Sequence, residues 1–143
     1  MEALYNRRIK ELADAAHGAG TLAEPTGTAL RDSPLCGDRV RMAVVVRDGR
    51  IDALAHEVKG CLLCRAAASV LGLQAKGLSV GEAEALHGRI AAMLAGGDSP
   101  QGGPAAGADL DCFEPVRDHR SRHGCVLLPF EALAEALKAP ASR

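Results

Sequence analysis

The sequence is poor in aromatic residues and has no long apolar run. It contains no Trp, one Tyr and two Phe among 143 residues, so Ala, Leu and Val must build most of a core. No stretch approaches the roughly 18 uncharged apolar residues of a membrane-spanning helix, and we therefore expect no membrane association. A basic start followed by an apolar segment is also missing, which disfavours a secretory signal and predicts a cytoplasmic protein.

An excess of positive charge is absent as well. The chain has 17 Lys and Arg residues against 18 Asp and Glu, for a net charge of −1. Because a phosphate-binding face needs a local excess of cations, no nucleic-acid partner is predicted. The length fits a single domain over residues 1–143. A stretch rich in Gly and Pro predicts a flexible loop within it, over 96–108.

Hydrophobic periodicity predicts both helices and strands. The expected helices cover 2–16, 61–76, 79–94 and 131–138, and the expected strands cover 40–46 and 50–59. Asp48-Gly49 between the strands is the strongest short hairpin signal. Ser79 followed by Glu82 predicts a capping box at a helix start. The segment from Gly18 to Pro34 is expected to be a loop.

Chemistry in this chain centres on its five cysteines, which in a reducing compartment serve metals or redox reactions more often than structural disulfides. Cys36 and Asp38 stand just before the first strand of the hairpin, and Cys61 follows the second. Pairing of the two strands therefore brings these three residues together, with Gly37 permitting the bend between Cys36 and Asp38. Cys61 also starts a predicted helix, where the dipole favours a thiolate.

Cys125 is the best candidate for a fourth ligand, although its convergence with the others is an assumption at this point. His123 stands two residues earlier as an accessory ligand. A set made of Cys36, Asp38, Cys61 and Cys125 suits zinc or iron–sulfur chemistry, and does not suit magnesium or calcium.

The other two cysteines leave alternatives open. Cys64 forms a Cys-Leu-Leu-Cys motif with Cys61, a spacing used by thiol–disulfide oxidoreductases, so it is an accessory ligand, a redox partner or a core residue. Cys112 is interpreted as a small buried hydrophobe. A purely structural zinc domain is a further alternative, in which metal removal would unfold the chain.

The sequence resembles the NifU-like/IscU-type iron–sulfur scaffold family over nearly its whole length. Matching motifs are the Ser-Pro-x-Cys-Gly-Asp segment 33–38, the Gly-Cys…Ala-Ser segment 58–69, the Lys-Gly…Glu-Ala turn 75–83 and the third-cysteine segment 122–128. The long interval between Cys61 and Cys125 is closer to the SufU-like branch.

The resemblance implies an α+β fold of the SufE/NifU-like type, with a small antiparallel sheet of about three strands and helices packed on it. It implies that Cys36, Asp38, Cys61 and Cys125 form an exposed site for iron or a transient 2Fe–2S cluster. It also implies a non-enzymatic scaffold that receives sulfur from a SufS/IscS-type cysteine desulfurase, with Cys125 as persulfide acceptor on a late, mobile part of the chain. Finished clusters then pass to apo iron–sulfur proteins. The alternative within the family is a zinc-bound sulfur acceptor, and the oligomeric state stays open.

Overall fold

The computed structural model describes residues 6–33, 37–96 and 110–138, and a three-stranded sheet with helices packed on it accounts for most of them. In chain order the elements are α1 (Arg7–Ala15), β1 (Gly27–Asp32), β2 (Arg39–Arg47), β3 (Arg50–Lys59), α2 (Leu62–Gln74), α3 (Val80–Leu94) and α4 (His123–Lys138). Two 3-10 helices, Leu110–Asp118 and Arg120–Arg122, precede α4. The α+β fold class predicted from the sequence is confirmed. None of the helices in these ranges is long and apolar enough to cross a membrane.

The predicted hairpin forms the centre and one side of the sheet. β2 and β3 pair antiparallel from Arg39↔Lys59 to Arg47↔Arg50, with one irregularity between Val45 and Val46. Asp48 and Gly49 both have positive φ, 53° and 77°, which is the conformation that a two-residue hairpin turn requires. The ends of the two strands that carry the site residues therefore lie side by side.

β1 corrects the prediction that the segment from Gly18 to Pro34 is a loop. Residues Gly27–Asp32 pair antiparallel with β2, which gives the strand order β1-β2-β3. The strand is short and lies at the sheet edge, and its six residues include a glycine and three polar residues. Such a segment carries little strand signal of its own. It forms a strand because pairing with β2 stabilises it.

The core lies between the sheet and the helices and is mostly aliphatic. Val40, Met42 and Val44 alternate along β2 as buried residues, and helix α4 packs against β1 and β2. α2 is buried almost all round and also contacts α1 and β3. The two phenylalanines, Phe113 and Phe130, are buried as well. Each large side chain removed from water contributes about 1.5–3 kcal/mol to stability.

α3 begins as the sequence predicts. The Ser79 hydroxyl accepts a hydrogen bond from the Glu82 backbone N–H at 3.0 Å, and the Glu82 carboxylate accepts one from the Ser79 N–H at 2.9 Å. This reciprocal pair is the predicted capping box. The predicted helix over 2–16 corresponds to α1, which starts after the N-cap Asn6, while residues 1–5 lie outside the described ranges.

The start of α4 was predicted wrongly. The helix begins at His123 and not at Glu131, so Cys125 lies inside its first turn and not before it or on a mobile segment. Gly124 and Pro129 are helix-breaking residues, and they conceal the helix in the sequence. Burial of Val126 and Phe130 against the core outweighs that cost. The loop predicted over 96–108 lies, apart from Gly96, outside the described residues.

Candidate metal centre

Three of the predicted ligands meet at one point in the structure. Asp38, Cys61 and Cys125 each offer one donor atom, and the three atoms lie within 4.8 Å of one another. They come from the residue before β2, the N-cap of α2 and the first turn of α4. The hairpin brings Asp38 to Cys61, and the packing of α4 on β2 and α2 adds Cys125.

Cys36, the fourth predicted ligand, lies outside the described residues. The described residues on either side of it, Ser33 on one side and Gly37 and Asp38 on the other, are hydrogen-bonded to each other. The Ser33 N–H donates to the Asp38 carbonyl and the Gly37 N–H donates to the Ser33 carbonyl, each at 2.8 Å. Gly37 has a φ of +74°, the left-handed conformation that favours glycine, as the predicted bend requires.

Asp38 is buried, with a relative exposure of 4%, and within the described part of the chain one of its two carboxylate oxygens has a hydrogen-bond partner. Its Oδ1 accepts a hydrogen bond from the Cys61 backbone N–H at 3.1 Å. Its Oδ2 is buried without a hydrogen-bond partner among the described residues. A buried, unsatisfied carboxylate oxygen is costly unless a cation compensates it, so the arrangement fits a metal ligand.

Gly60 makes this position of Asp38 possible, and sequence reasoning did not assign it a role. A Cβ atom at Gly60 would lie 2.8 Å from Asp38 Cγ and 2.9 Å from Oδ1, closer than such atoms pack. The signal available in the sequence was a glycine directly before the candidate ligand Cys61. The glycine therefore lets the carboxylate lie against the start of α2.

Two helix N-termini point their positive ends toward the cluster. Cys61 is the N-cap of α2 and makes no side-chain capping bond of its own, while Cys125 is in the first turn of α4. Aligned peptide dipoles favour negative charge at both places, which suits thiolates. Two thiolates with one carboxylate oxygen match the donor preferences of zinc and iron.

The cluster is less accessible than the exposed site that the family resemblance implies. Cys125 has a relative exposure of 1% and Asp38 is buried as well, whereas Cys61 is half-buried. Within the described residues, Cys61 is thus the accessible member of the three.

The accessory candidates, His123 and Cys64, are not members of this group of three donors. His123 Nε2 donates to the backbone carbonyls of Val116 and Arg117, both at 3.0 Å, and so joins the 3-10 helix Leu110–Asp118 to the start of α4. Cys64 is fully buried in the core on the first turn of α2. Cys112 is half-buried, and its carbonyl accepts a hydrogen bond from Asn6 at 2.9 Å.

Known proteins share this sequence pattern and fold. The family model of the NifU-like N-terminal domain matches residues 4–125. Among curated proteins, the chain is similar to the iron–sulfur cluster assembly scaffold protein IscU of Thermotoga maritima. The two are 24% identical over 135 residues, which cover 94% of this chain and 93% of that protein.

Solved structures give the same picture. The crystal structure of a nitrogen-fixing NifU-like protein (N-terminal) from Brucella abortus superposes with a TM-score of 0.90. It is 38% identical and the match covers 96% of this chain and 94% of that one. A protein described as the SUF-system scaffold SufU from Fervidobacterium islandicum AW-1 matches with a TM-score of 0.84, covering 94% of this chain and 96% of that one. At 21% identity, that second likeness shows the fold alone.

Proposed function

Because the chain belongs to the NifU-like N-terminal domain family, we propose that it is an iron–sulfur cluster assembly scaffold. The observation that best supports this function is the grouping of the Asp38, Cys61 and Cys125 donor atoms within 4.8 Å. In such a protein the iron–sulfur cluster is cargo, so its ligands must bind it firmly enough for assembly and release it afterwards.

The proposed ligands of iron or a transient 2Fe–2S cluster are Cys36, Asp38, Cys61 and Cys125. The unsatisfied Oδ2 of Asp38 supports a cation-binding role for the carboxylate. A carboxylate is a harder donor than a thiolate, so it binds a soft site more weakly. We expect Asp38 to keep the cluster labile enough for transfer.

Sulfur delivery is the second part of the proposal. A SufS/IscS-type cysteine desulfurase carries sulfur as a persulfide. The Cys125 thiolate attacks its outer sulfur, the S–S bond breaks, and the electron pair stays on the desulfurase thiolate. Since Cys125 is buried, this transfer requires the first turn of α4 to open locally. The assembled cluster then passes to apo iron–sulfur proteins, and the chain acts as a carrier with no turnover of its own.

A zinc-bound sulfur acceptor is the second candidate. Tetrahedral zinc with bonds of about 2.3 Å to sulfur places its ligand atoms roughly 4 Å apart. The 4.8 Å grouping of three donors thus has the dimensions of a single-ion site. In this mechanism a cysteine leaves zinc as a thiolate and attacks the desulfurase persulfide.

A thiol–disulfide oxidoreductase using Cys61 and Cys64 has less support. Its second thiol belongs to a residue that is fully buried in the core. Its first thiol, Cys61, belongs to the group of metal-ligand donors with Asp38 and Cys125.

Anaerobic reconstitution tests the leading proposal. The protein is incubated with iron, cysteine and a cysteine desulfurase, and cluster formation is followed by visible absorbance and by transfer to an apo-ferredoxin. We expect Cys61→Ser and Cys125→Ser to abolish a stable chromophore, and Cys112→Ser to retain it. Metal analysis after anaerobic purification separates the candidates, because stoichiometric zinc without a chromophore supports the sulfur acceptor. A normal cluster in Cys61→Ser and Cys125→Ser would overturn the proposed ligand set.

A further inference from the structure

A cavity of about 510 Å³ lies beside β3, between the end of α1 and the outer face of the sheet. Ala13, Ala16 and Leu30 contribute apolar surface to its lining. Among the described residues that line it, the others include four cations, Arg39, Arg41, Lys59 and Arg65, and one carboxylate, Glu57. The local charge is therefore positive in a chain whose net charge is −1.

Two of these four cations are balanced by neighbouring carboxylates. Arg41 Nε lies 3.5 Å from Glu57 Oε1, and Arg39 Nε lies 2.6 Å from Asp32 Oδ1. Lys59 and Arg65 make no ion pair with any residue in the described ranges, and both side chains are exposed. The Arg65 guanidinium donates one hydrogen bond, to the Ala13 carbonyl at 3.5 Å. An anionic ligand would complement the two charges.

The wall of the cavity is built into the fold. The segment after α1 is fixed to β3 by two backbone hydrogen bonds, from His56 N–H to Gly18 and from Gly20 N–H to His56, each 2.9 Å. The His56 ring adds a third, since its Nε2 donates to the His17 carbonyl at 2.7 Å. Burial lowers the pKa of His56, so the ring is neutral at pH 7 and the positive charge belongs to Arg and Lys. Hydrogen bonds within the protein therefore hold this wall of the cavity in place.

We propose that this cavity binds a small organic anion that carries two negative charges, as carboxylates or a phosphate, on a compact apolar body. Its volume lies within the roughly 300–1,000 Å³ of small-molecule pockets. Stable protein docking uses flatter surfaces of about 800 Å² on each partner. The cations match the two negative charges of such a ligand, and the apolar walls match its apolar body.

The cavity lies next to the candidate metal centre without sharing its donors. Arg39 directly follows Asp38, and Lys59 precedes Cys61 by two residues. The proposal is independent of the scaffold function and stands or falls on binding alone.

Titration calorimetry with phenyl phosphate and with glutarate tests the proposal and distinguishes a phosphate from a carboxylate ligand. We expect saturable 1:1 binding of at least one probe, weakened by added salt. Lys59→Ala combined with Arg65→Ala should weaken it about tenfold or more, because two charge-assisted contacts are lost. Arg47→Ala is the control for loss of a surface cation, since Arg47 is exposed on β2 and does not line the cavity.

Three outcomes would overturn the proposal. They are the absence of saturable binding of either probe, equal binding by the Lys59/Arg65 double variant, and binding of a hexaglutamate peptide when neither probe binds. The last result would identify a docking surface for an acidic protein segment instead. Circular dichroism and a urea midpoint for each variant exclude loss of the fold as the cause.

Discussion

The starts of α2 and α3 satisfy their free backbone N–H groups in opposite ways. α3 uses its own sequence, because Ser79 and Glu82 cap each other within four residues. α2 starts at Cys61, whose side chain makes no capping bond. The Cys61 backbone N–H instead donates a hydrogen bond to the carboxylate of Asp38, which lies 23 positions earlier in the chain.

The difference shows that a candidate metal ligand takes the place of an ordinary capping residue at the start of α2. At α2 the N-cap position holds a candidate metal ligand, and the capping oxygen comes from a second candidate ligand across the hairpin. Folding of this helix start and assembly of the donor site are therefore coupled. At α3 the cap serves stability alone. Four predictions test this distinction.

The largest effect is expected for Asp38→Asn. Asparagine keeps an oxygen that can accept the Cys61 N–H but removes the anionic ligand. Loss of even a ligand's hydrogen-bond partner typically costs 10–100-fold in metal affinity, so loss of the ligand itself should cost about 100-fold or more. Competition with a chelator measures this. Retention of native affinity would show that Asp38 is only a cap.

Gly60→Ala should have the second-largest effect. The new Cβ would push into Asp38, which lies 2.8 Å away at Cγ, and overpacking of this kind typically costs about 1–3 kcal/mol. We expect a lower urea midpoint together with weaker metal binding.

Gly81→Ala in the first turn of α3 is the matched control for this change. Its Cβ would meet only the Ser79 hydroxyl at 3.9 Å, an ordinary contact. Alanine is favoured over glycine in helices by up to about 1 kcal/mol, so this variant should be unchanged or more stable. Equal destabilisation by both variants would refute the special role of Gly60.

Ser79→Ala should cost about 1 kcal/mol of unfolding free energy, the usual value of a lost N-cap. Metal affinity should stay at the wild-type value, because this cap is remote from the donor atoms. Chemical denaturation and chelator competition on the same preparation measure both quantities. A shift in metal affinity would contradict the separation of the two helix starts.

The smallest effect concerns pH. The Ser79 backbone N–H, followed by Arg50, holds the pKa of Glu82 below its ordinary value. A carboxylate with a lowered folded-state pKa stabilises the protein above its unfolded pKa, about 4.3 for Glu, and that contribution disappears as pH falls through the folded value. Glu82→Gln should therefore lower the urea midpoint slightly at pH 7 and not at pH 3. A difference that persists at pH 3 would contradict this explanation.

Local signals predicted the parts of the fold that local interactions stabilise. Asp48-Gly49 set the hairpin, and Ser79 with Glu82 set the start of α3. β1 and the first half of α4 were missed, since the first depends on pairing with β2 and the second contains Gly124 and Pro129. In both cases contacts with residues far along the chain outweigh a weak or unfavourable local preference.

The basic cavity illustrates the same limit for charge. Composition gave no indication of a local excess of cations, because the chain is nearly neutral overall. Arg39, Arg41, Lys59 and Arg65 come from two strands and a helix. Only the packing of these elements brings their charges to one surface.

Sequence patterns were enough to predict the donor types, the hairpin that brings Asp38 to Cys61, and the family resemblance. The folded chain was needed to show that Cys125 reaches them from the first turn of α4, that Asp38 is buried and bonded to the start of α2, and that Gly60 leaves the space for it. The cause is the distance along the chain over which each kind of interaction acts. Turn and cap preferences act over a few residues, whereas convergence and burial depend on packing between elements that are distant in sequence.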